Sequence, residues 1–301
     1  MLLVAALILA LAYAASATAG GPVGGGARTS TDHHRASGPG PHQARAGVTW
    51  PLRGQAALVL GTGRPTASPH QQAAPIASLA KVMTAYLTLA RYPLSGPQDG
   101  FTITVTPTEA QAVAEDRAEG QSVVAVAAGE RLTERQLLEA LLIPSGNNIA
   151  DILADVVAGS ETRFVAEMNA EARALGMNHT VYTDPSGFEA STVSTAADQL
   201  RVFQQAVRSS RFRQIVSMAG VTLPVAGTLT NFDPLISQGY AGKTGSDSAA
   251  GGCLAFFTDV TVGGRRQTAV GVVLGQGQGS DTQALLAAAG QAAEWLVDSQ
   301  P

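Results

Sequence analysis

Ile76-Ala77-Ser78-Leu79-Ala80-Lys81-Val82-Met83-Thr84-Ala85-Tyr86 sets a serine and a lysine three residues apart at the head of an apolar, helix-like run. Residues i and i+3 share a helix face, so the Ser78 hydroxyl and the Lys81 amine are expected side by side. Pro75, three residues upstream, keeps the chain extended before a helix begins. Ser78 then falls in the first turn, where unpaired N–H groups and the helix dipole favour developing negative charge. That position suits a serine nucleophile. Taken alone, the pair reads more readily as a helix start with a solvated lysine, so the rest of the chain has to decide.

Around this helix, expected over residues 78–90, the pattern is one of strands at both ends and helices between. Residues 55–60 read as a buried strand closed by the Gly61-Thr62-Gly63 turn. Residues 101–105 alternate Phe, Ile and Val with Thr, a short strand. A mostly helical region follows. Thr133 and Gln136 have the spacing of a capping box ahead of the stripe Leu137, Leu138, Leu141 and Leu142. Pro144-Ser145-Gly146 breaks that helix, and another runs from Asn147 to Gly159. Phe164, Val165, Met168, Ala172 and Leu175 form a third stripe, stopped by Gly176. Asp184-Pro185-Ser186-Gly187 is a turn, and Ser194 or Thr195 caps a helix reaching residue 208. Residues 221–225 and 240–244 read as strands. The runs 253–262 and 267–275 meet across Gly263-Gly264 as a hairpin, and an Ala/Leu helix over 281–297 closes the chain. Hairpins rather than β-α-β alternation predict an α+β fold with a largely antiparallel sheet.

The 301 residues suffice for one large domain or two small ones, with 45% hydrophobic and 14% charged residues. A net charge of −4 speaks against nucleic acid, which calls for a basic patch. Cys253 is the single cysteine, which excludes an intrachain disulfide and a cysteine-based metal site. Three of the five histidines (His33, His34, His42) lie in low-complexity sequence, and His70 and His179 have no catalytic or ligand spacing. A base for a serine nucleophile is therefore expected to be something other than histidine. Residues 2–19 carry no charge and end in Ala17-Thr18-Ala19, the small-x-small form of a signal-peptidase site. They are expected to be a signal peptide or an N-terminal membrane anchor, eighteen residues being near the lower limit for a span. No Lys or Arg precedes them. Residues 20–47 read as a Gly/Pro-rich disordered linker, too poor in aliphatic side chains to offset the entropy of ordering. The folded domain is expected over 48–301.

Two further tripeptides join the first pair: Ser145-Gly146-Asn147 at a helix break and Lys243-Thr244-Gly245 at a strand end. Each alone reads as a turn or a surface strand end. In the order S-x-x-K, S-x-N, K-T-G, with 67 residues from Ser78 to Ser145 and 98 from there to Lys243, they reinforce one another. The chain here resembles the penicillin-binding proteins, and within them the low-molecular-mass serine D-alanyl-D-alanine carboxypeptidases of peptidase family S11. The resemblance runs from about residue 55 to the C-terminal helix. It extends to Pro75-Ile76-Ala77-Ser78, Met83-Thr84-Ala85-Tyr86, Asp184-Pro185-Ser186-Gly187-Phe188 and Ser194-Thr195-Ala196-Ala197-Asp198.

The resemblance implies a β-lactamase/transpeptidase-like fold, an antiparallel sheet flanked by helices with a mostly helical subdomain. It implies that Ser78 attacks the carbonyl between the two D-alanines of a peptidoglycan stem peptide, with Lys81 as general base. A lysine at its usual pKa of roughly 10.4 is a poor base at neutral pH. Burial and the second cation, Lys243, are expected to favour its neutral form. Ser145 would relay a proton to the departing D-Ala amine, and Asn147 would bind the substrate backbone and help hold Lys81. Lys243 and Thr244 would take the terminal carboxylate, and Gly245 would let the substrate strand approach closely. The N–H groups of Ser78 and Ser246 would form the oxyanion hole. β-Lactams would acylate Ser78 and leave slowly. No cofactor, metal or nucleic acid is implied. A monomer acting outside the cytoplasm is expected, touching membrane only through its N-terminal segment.

Departures from the family pattern are Asn148 and Ala150, where many relatives carry an acidic residue, and Ser246, where relatives often carry a bulky one. A class A β-lactamase shares the three motifs but needs a Glu in an E-x-x-L-N loop, and residues 178–188 contain no Glu. A D,D-endopeptidase would use the same site. A non-catalytic wall-binding module would keep the fold without the chemistry, although every motif side chain is present.

Overall fold

A computed structural model describes residues 49–96 and 98–300. The segments read as signal or anchor and as linker lie outside the described residues. Strands β1 (Gln55–Leu60), β2 (Thr66–Ala67) and β3 (Ala74–Pro75) come first. A 3-10 turn, Ala77–Leu79, leads into helix α1 (Ala80–Arg91). Then come β4 (Thr102–Thr104), α2 (Pro107–Ala118), β5 (Arg131–Thr133), α3 (Glu134–Leu142), α4 (Asn147–Ala158) and α5 (Glu161–Ala174). β6 (Val193–Ser194), α6 (Ala196–Ala206), α7 (Ser210–Val216) and the hairpin β7 (Gly220–Leu223) and β8 (Gly227–Thr230) follow. A second 3-10 turn, Ile236–Gln238, precedes β9 (Ala241–Asp247), β10 (Gly251–Val262), β11 (Arg265–Gln276) and α8 (Thr282–Asp298).

The main sheet has the order β2-β1-β11-β10-β9, antiparallel throughout, as the hairpin pattern predicts. The period-2 rule sorts its residues onto two faces. Ala56, Leu58, Leu254 and Phe256 pack with Ala289, Ala293 and Leu296 of α8. Ala57, Val59, Cys253, Ala255 and Val272 belong to the larger core formed with the other helices. Both faces are thus covered, which explains why β1 reads as a continuous apolar run. The expected α+β architecture is borne out.

Within the larger core, α1 packs against α3, α4, α5 and α6. Leu79, Val82, Met83 and Ala85 are at most 1% exposed. Each fully buried Leu, Val or Met side chain contributes roughly 1.5–3 kcal/mol. Both halves of the Thr133–Gln136 capping box form, at 3.2 and 2.9 Å. Thr195 caps α6, and Gly159 ends α4 in the left-handed conformation. β9 lies at the edge of the sheet, with no strand on its outer side among the described residues. Among the described residues no helix is long and apolar enough to cross a membrane.

Candidate active site

Ser78 was expected in the first turn of an α-helix; it sits instead in the 3-10 turn that precedes α1. Ala77, immediately before it, is in the left-handed region at φ 46°. A non-glycine residue held there carries on the order of 1–3 kcal/mol of strain. The i, i+3 pairing nevertheless survives, since a 3-10 turn also brings residues three apart onto one face. Lys81 Nζ donates to Ser78 Oγ at 2.8 Å. It donates further to Asn147 Oδ1 at 2.7 Å and to the Ser186 carbonyl at 2.9 Å. All three hydrogens an ammonium can carry thus face acceptors.

Lys81 is fully buried, and burial drives its pKa down from 10.5 to about 7, against the opposing charges of Asp184 and Asp151. Lys243, 1% exposed, is also held well below its ordinary value, by burial first and then by the charge of Lys81, with Asp233 pulling it back up. Sequence reasoning gave Lys243 a share in lowering Lys81. Burial is the leading cause at Lys81, and the repulsion between the two amines belongs to the pair. Two like charges in one buried site titrate as a pair, and the repulsion acts on the amine that takes the second proton.

The second motif occupies the loop between α3 and α4. Ser145 is the other non-glycine residue with positive φ, at 64°, and its buried Oγ has no hydrogen-bond partner among the described residues. Two residues on, Asn147 opens α4 and is fixed from both ends. Its N–H donates to the Ser122 carbonyl at 2.7 Å, and its Nδ2 to Gln121 Oε1 at 2.9 Å. The Asn147 oxygen is therefore aimed at Lys81. Asn148, one of the departures from the family pattern, clamps the backbone of Val124 through both N–H and carbonyl, at 3.0 and 2.9 Å. It is a brace for the segment that carries Gln121 and Ser122.

The third motif lies on β9, whose buried Lys243, Thr244 and Gly245 lead to the half-buried Ser246. A side-chain carbon at Gly245 would stand 3.0 Å from both the Ile76 carbonyl oxygen and the Ser78 nitrogen. Glycine thus lets the edge strand press against the turn that presents the nucleophile. Ser78, Lys81 and Asn147 are joined by hydrogen bonds, Gly245 by this close approach, and Lys243 by its charge interaction with Lys81. Thr244 and Ser246 are placed by their neighbours along the strand.

Sequence reasoning noted the Asp184-Pro185-Ser186-Gly187 turn but missed what it does. The Asp184 carboxylate accepts from the Ser186 N–H and Oγ, the Phe188 N–H and the Thr192 hydroxyl. Thr84 Oγ1 of α1 donates to the Pro185 carbonyl at 2.6 Å. The turn so shaped offers the Ser186 carbonyl to Lys81. Gly187, at φ 79°, packs so closely that a side-chain carbon there would lie 1.9 Å from the Ala77 carbonyl oxygen. Gly187→Ala is accordingly expected to destabilise the fold by at least ~2 kcal/mol and to slow acylation of Ser78. Thermal melting together with labelling by a reactive β-lactam checks both, and an unchanged melt would count against the proposed contact.

A five-stranded antiparallel sheet backed by helices, with a serine and a buried lysine where the edge strand meets the central helix, defines the class of penicillin-binding serine peptidases. Residues 61–277 match the family model described as D-alanyl-D-alanine carboxypeptidase, and the chain belongs to this S11 peptidase family. It is 34% identical over 201 residues to the D-alanyl-D-alanine carboxypeptidase DacB2 of Mycobacterium tuberculosis, a match spanning 64% of this chain and 65% of that protein. A D-alanyl-D-alanine endopeptidase of Escherichia coli is 29% identical over 200 residues, 61% of this chain and 59% of that one. The crystal structure of the Streptomyces K15 DD-transpeptidase superposes with a TM-score of 0.70 at 26% identity, covering 84% of this chain and 98% of that chain.

Proposed function

We propose that this protein is a serine D,D-carboxypeptidase that removes the terminal D-Ala from peptidoglycan stem peptides through an acyl-enzyme. The observation that carries this reading is the fully buried Lys81 amine, 2.8 Å from Ser78 Oγ and lowered to about 7. An amine so placed is free to take a proton near neutral pH, which is what general-base activation of a serine requires.

In this reading Ser78 Oγ attacks the carbonyl carbon between the two D-alanines while its proton passes to Lys81. The oxyanion is held by the N–H groups of Ser78 and Ser246. The C–N bond then breaks as the proton held by Lys81 passes through Ser145 Oγ, buried with no hydrogen-bond partner among the described residues, to the leaving amine. Water attacks the ester as Lys81 takes its proton, and Lys81 returns that proton to Ser78 Oγ when the acyl–oxygen bond breaks. The substrate lies along the free side of β9 as an added strand, a mode in which backbone groups supply affinity. Lys243 and Thr244 hold its terminal carboxylate, and Asn147 its backbone. A penicillin presents the same carboxylate and a strained amide, and its fused ring keeps the leaving group in place after acylation.

Release of D-Ala from a stem pentapeptide, assayed beside a cross-linked dimer, tests the proposal and sorts carboxypeptidase from endopeptidase action. No D-Ala from either, together with no penicillin adduct, would overturn it in favour of a wall-binding module. Lys243→Ala is expected to slow acylation by an anionic penicillin by about 30–100-fold, the worth of a charge-assisted hydrogen bond, while the protein still melts cooperatively. Unchanged acylation kinetics would remove Lys243 from carboxylate recognition. We also place the protein outside the cytoplasm, as a monomer, with residues 1–19 as signal or anchor. This rests on the sequence of that segment and on the location of the substrate, and cell fractionation tests it.

A further inference from the structure

We propose that Gln121 is a positioning residue for the general base: it locks the amide of Asn147 in the one polarity that turns the lone pair of Lys81 towards Ser78. The proposal rests on the carboxypeptidase reading and adds to it a residue outside all three motifs.

To act as a base, Lys81 has to be a neutral amine, with two hydrogens and one lone pair. Burial makes that form available by lowering its pKa to about 7. Three hydrogen-bonded oxygens face Nζ: Ser78 Oγ at 2.8 Å, Asn147 Oδ1 at 2.7 Å and the Ser186 carbonyl at 2.9 Å. The last two can only accept. They take the two hydrogens of the neutral amine, and the lone pair is left for the Ser78 proton. An Asn147 amide turned over about its last bond would put its NH2 where the oxygen stands. That group would donate to the lone pair, and Ser78 would meet an N–H in place of a base. The two orientations have nearly the same shape, so packing does not choose between them and hydrogen bonding does.

Gln121 makes the choice. Its Oε1 accepts from Asn147 Nδ2 at 2.9 Å, which holds the nitrogen away from Lys81 and the oxygen towards it. Gln121 is itself an amide and needs the same choice made for it. Its Nε2 donates to Glu119 Oε2 at 3.2 Å and reaches Asp116 Oδ1 at 3.5 Å. Ionised carboxylates only accept, so a reversed Gln121 would set its oxygen against both. The backbone keeps the two amides in register. The Gln121 N–H donates to the Asp116 carbonyl at 3.0 Å, mooring the residue to the end of α2, and the Asn147 N–H donates to the Ser122 carbonyl at 2.7 Å. Polarity therefore passes inward from the acceptor-only carboxylates at 116 and 119, through Gln121 and Asn147, to the amine of Lys81.

The test measures second-order rate constants for acylation by a fluorescent penicillin at neutral pH in wild type, Gln121→Met and Gln121→Glu. Gln121→Met is measured again in the presence of Asn147→Asp. Methionine has the length of glutamine but offers Asn147 no strong acceptor, whereas glutamate restores one. Gln121→Met is expected to slow acylation about tenfold, the worth of one hydrogen bond, and Gln121→Glu to recover most of that loss. In Asn147→Asp an oxygen faces Lys81 whichever way the group turns, so Gln121→Met should cost nothing further there. A wild-type rate in Gln121→Met would overturn the proposal. So would equal losses in Gln121→Met and Gln121→Glu, or an undiminished loss beside Asn147→Asp, either of which a merely structural role would produce. If Gln121→Met fails to fold, Gln121→Ala gives the same comparisons. A wild-type protein that is neither acylated nor able to release D-Ala would instead remove the carboxypeptidase reading on which the proposal stands.

Discussion

Ser78→Ala is expected to abolish covalent labelling by a fluorescent penicillin and to reduce D-Ala release from a stem pentapeptide by at least ~10⁴-fold, the scale on which loss of a serine nucleophile is felt. The Ser78 hydroxyl is half-buried and receives its hydrogen bond from Lys81. Removing it leaves Lys81 with Asn147 and Ser186 as acceptors, and it leaves the Ala77 strain and the Gly245 approach untouched. The variant should therefore melt within a few degrees of wild type. Gel labelling and a melt on one preparation separate lost chemistry from lost fold. An adduct that forms in the variant at the wild-type rate would place the nucleophile elsewhere and end the assignment.

Lys81→Met should lower acylation by about 10²–10⁴-fold, the contribution of a positioned general base. In wild type the acylation rate should climb with pH through about 7, as the buried amine loses its proton, and the variant should lack that limb. Stability carries a linked signature. The folded pKa of Lys81 lies below its unfolded value of 10.5, so between about 7 and 10.5 the unfolded chain binds more protons. Stability contributed by this group therefore rises with pH across that window and is lowest below it. Chemical unfolding at several pH values should show a smaller rise in Lys81→Met. A wild-type rate that stays flat from pH 6 to 8 would show that Lys81 is already neutral, or that it is not the base.

Features that depend on near neighbours along the chain were legible in the sequence. The β1 run, the Thr133–Gln136 capping box, the helix break at Ser145 and the hairpin across Gly263-Gly264 all stand where periodicity and turn chemistry put them. Other elements were not. Helix α7, seven residues long, is too short for a 3.6 period to declare itself. β8 alternates half-buried with exposed residues that read equally as loop. β2, β3 and β6 have two residues each and exist only through their partners. The 3-10 turn that carries Ser78 is closely approached by Gly187 and Gly245, 109 and 167 residues away, which no local pattern reveals.

At the site the three motifs named the side chains, and the structure brings Ser78, Lys81 and Asn147 into one hydrogen-bonded group. The partners that complete it were hidden for physical reasons. Every residue type has a carbonyl, so nothing in the letter Ser at 186 marks its oxygen as an acceptor for Lys81. Gln121 meets Asn147 across 26 residues, in a segment that the Asn147 N–H and Asn148 hold at Ser122 and Val124. The lowering of Lys81 is led by depth of burial, a tertiary quantity that no short motif displays.

The Ser186 carbonyl has a consequence for how this protein tolerates change over generations. A point mutation can delete the Asn147 oxygen, but none at codon 186 can delete a peptide oxygen. Part of the hold on Lys81 is thus out of reach of single-residue lesions, provided the turn keeps its shape. Mutational sensitivity is transferred to the groups that shape it: the Asp184 carboxylate, Gly187 and the Ser186 hydroxyl. A library of variants across 184–188 should therefore reject diversity at 187 and accept at the buried position 186 only a small residue, best a hydroxyl that still reaches Asp184 and Phe188.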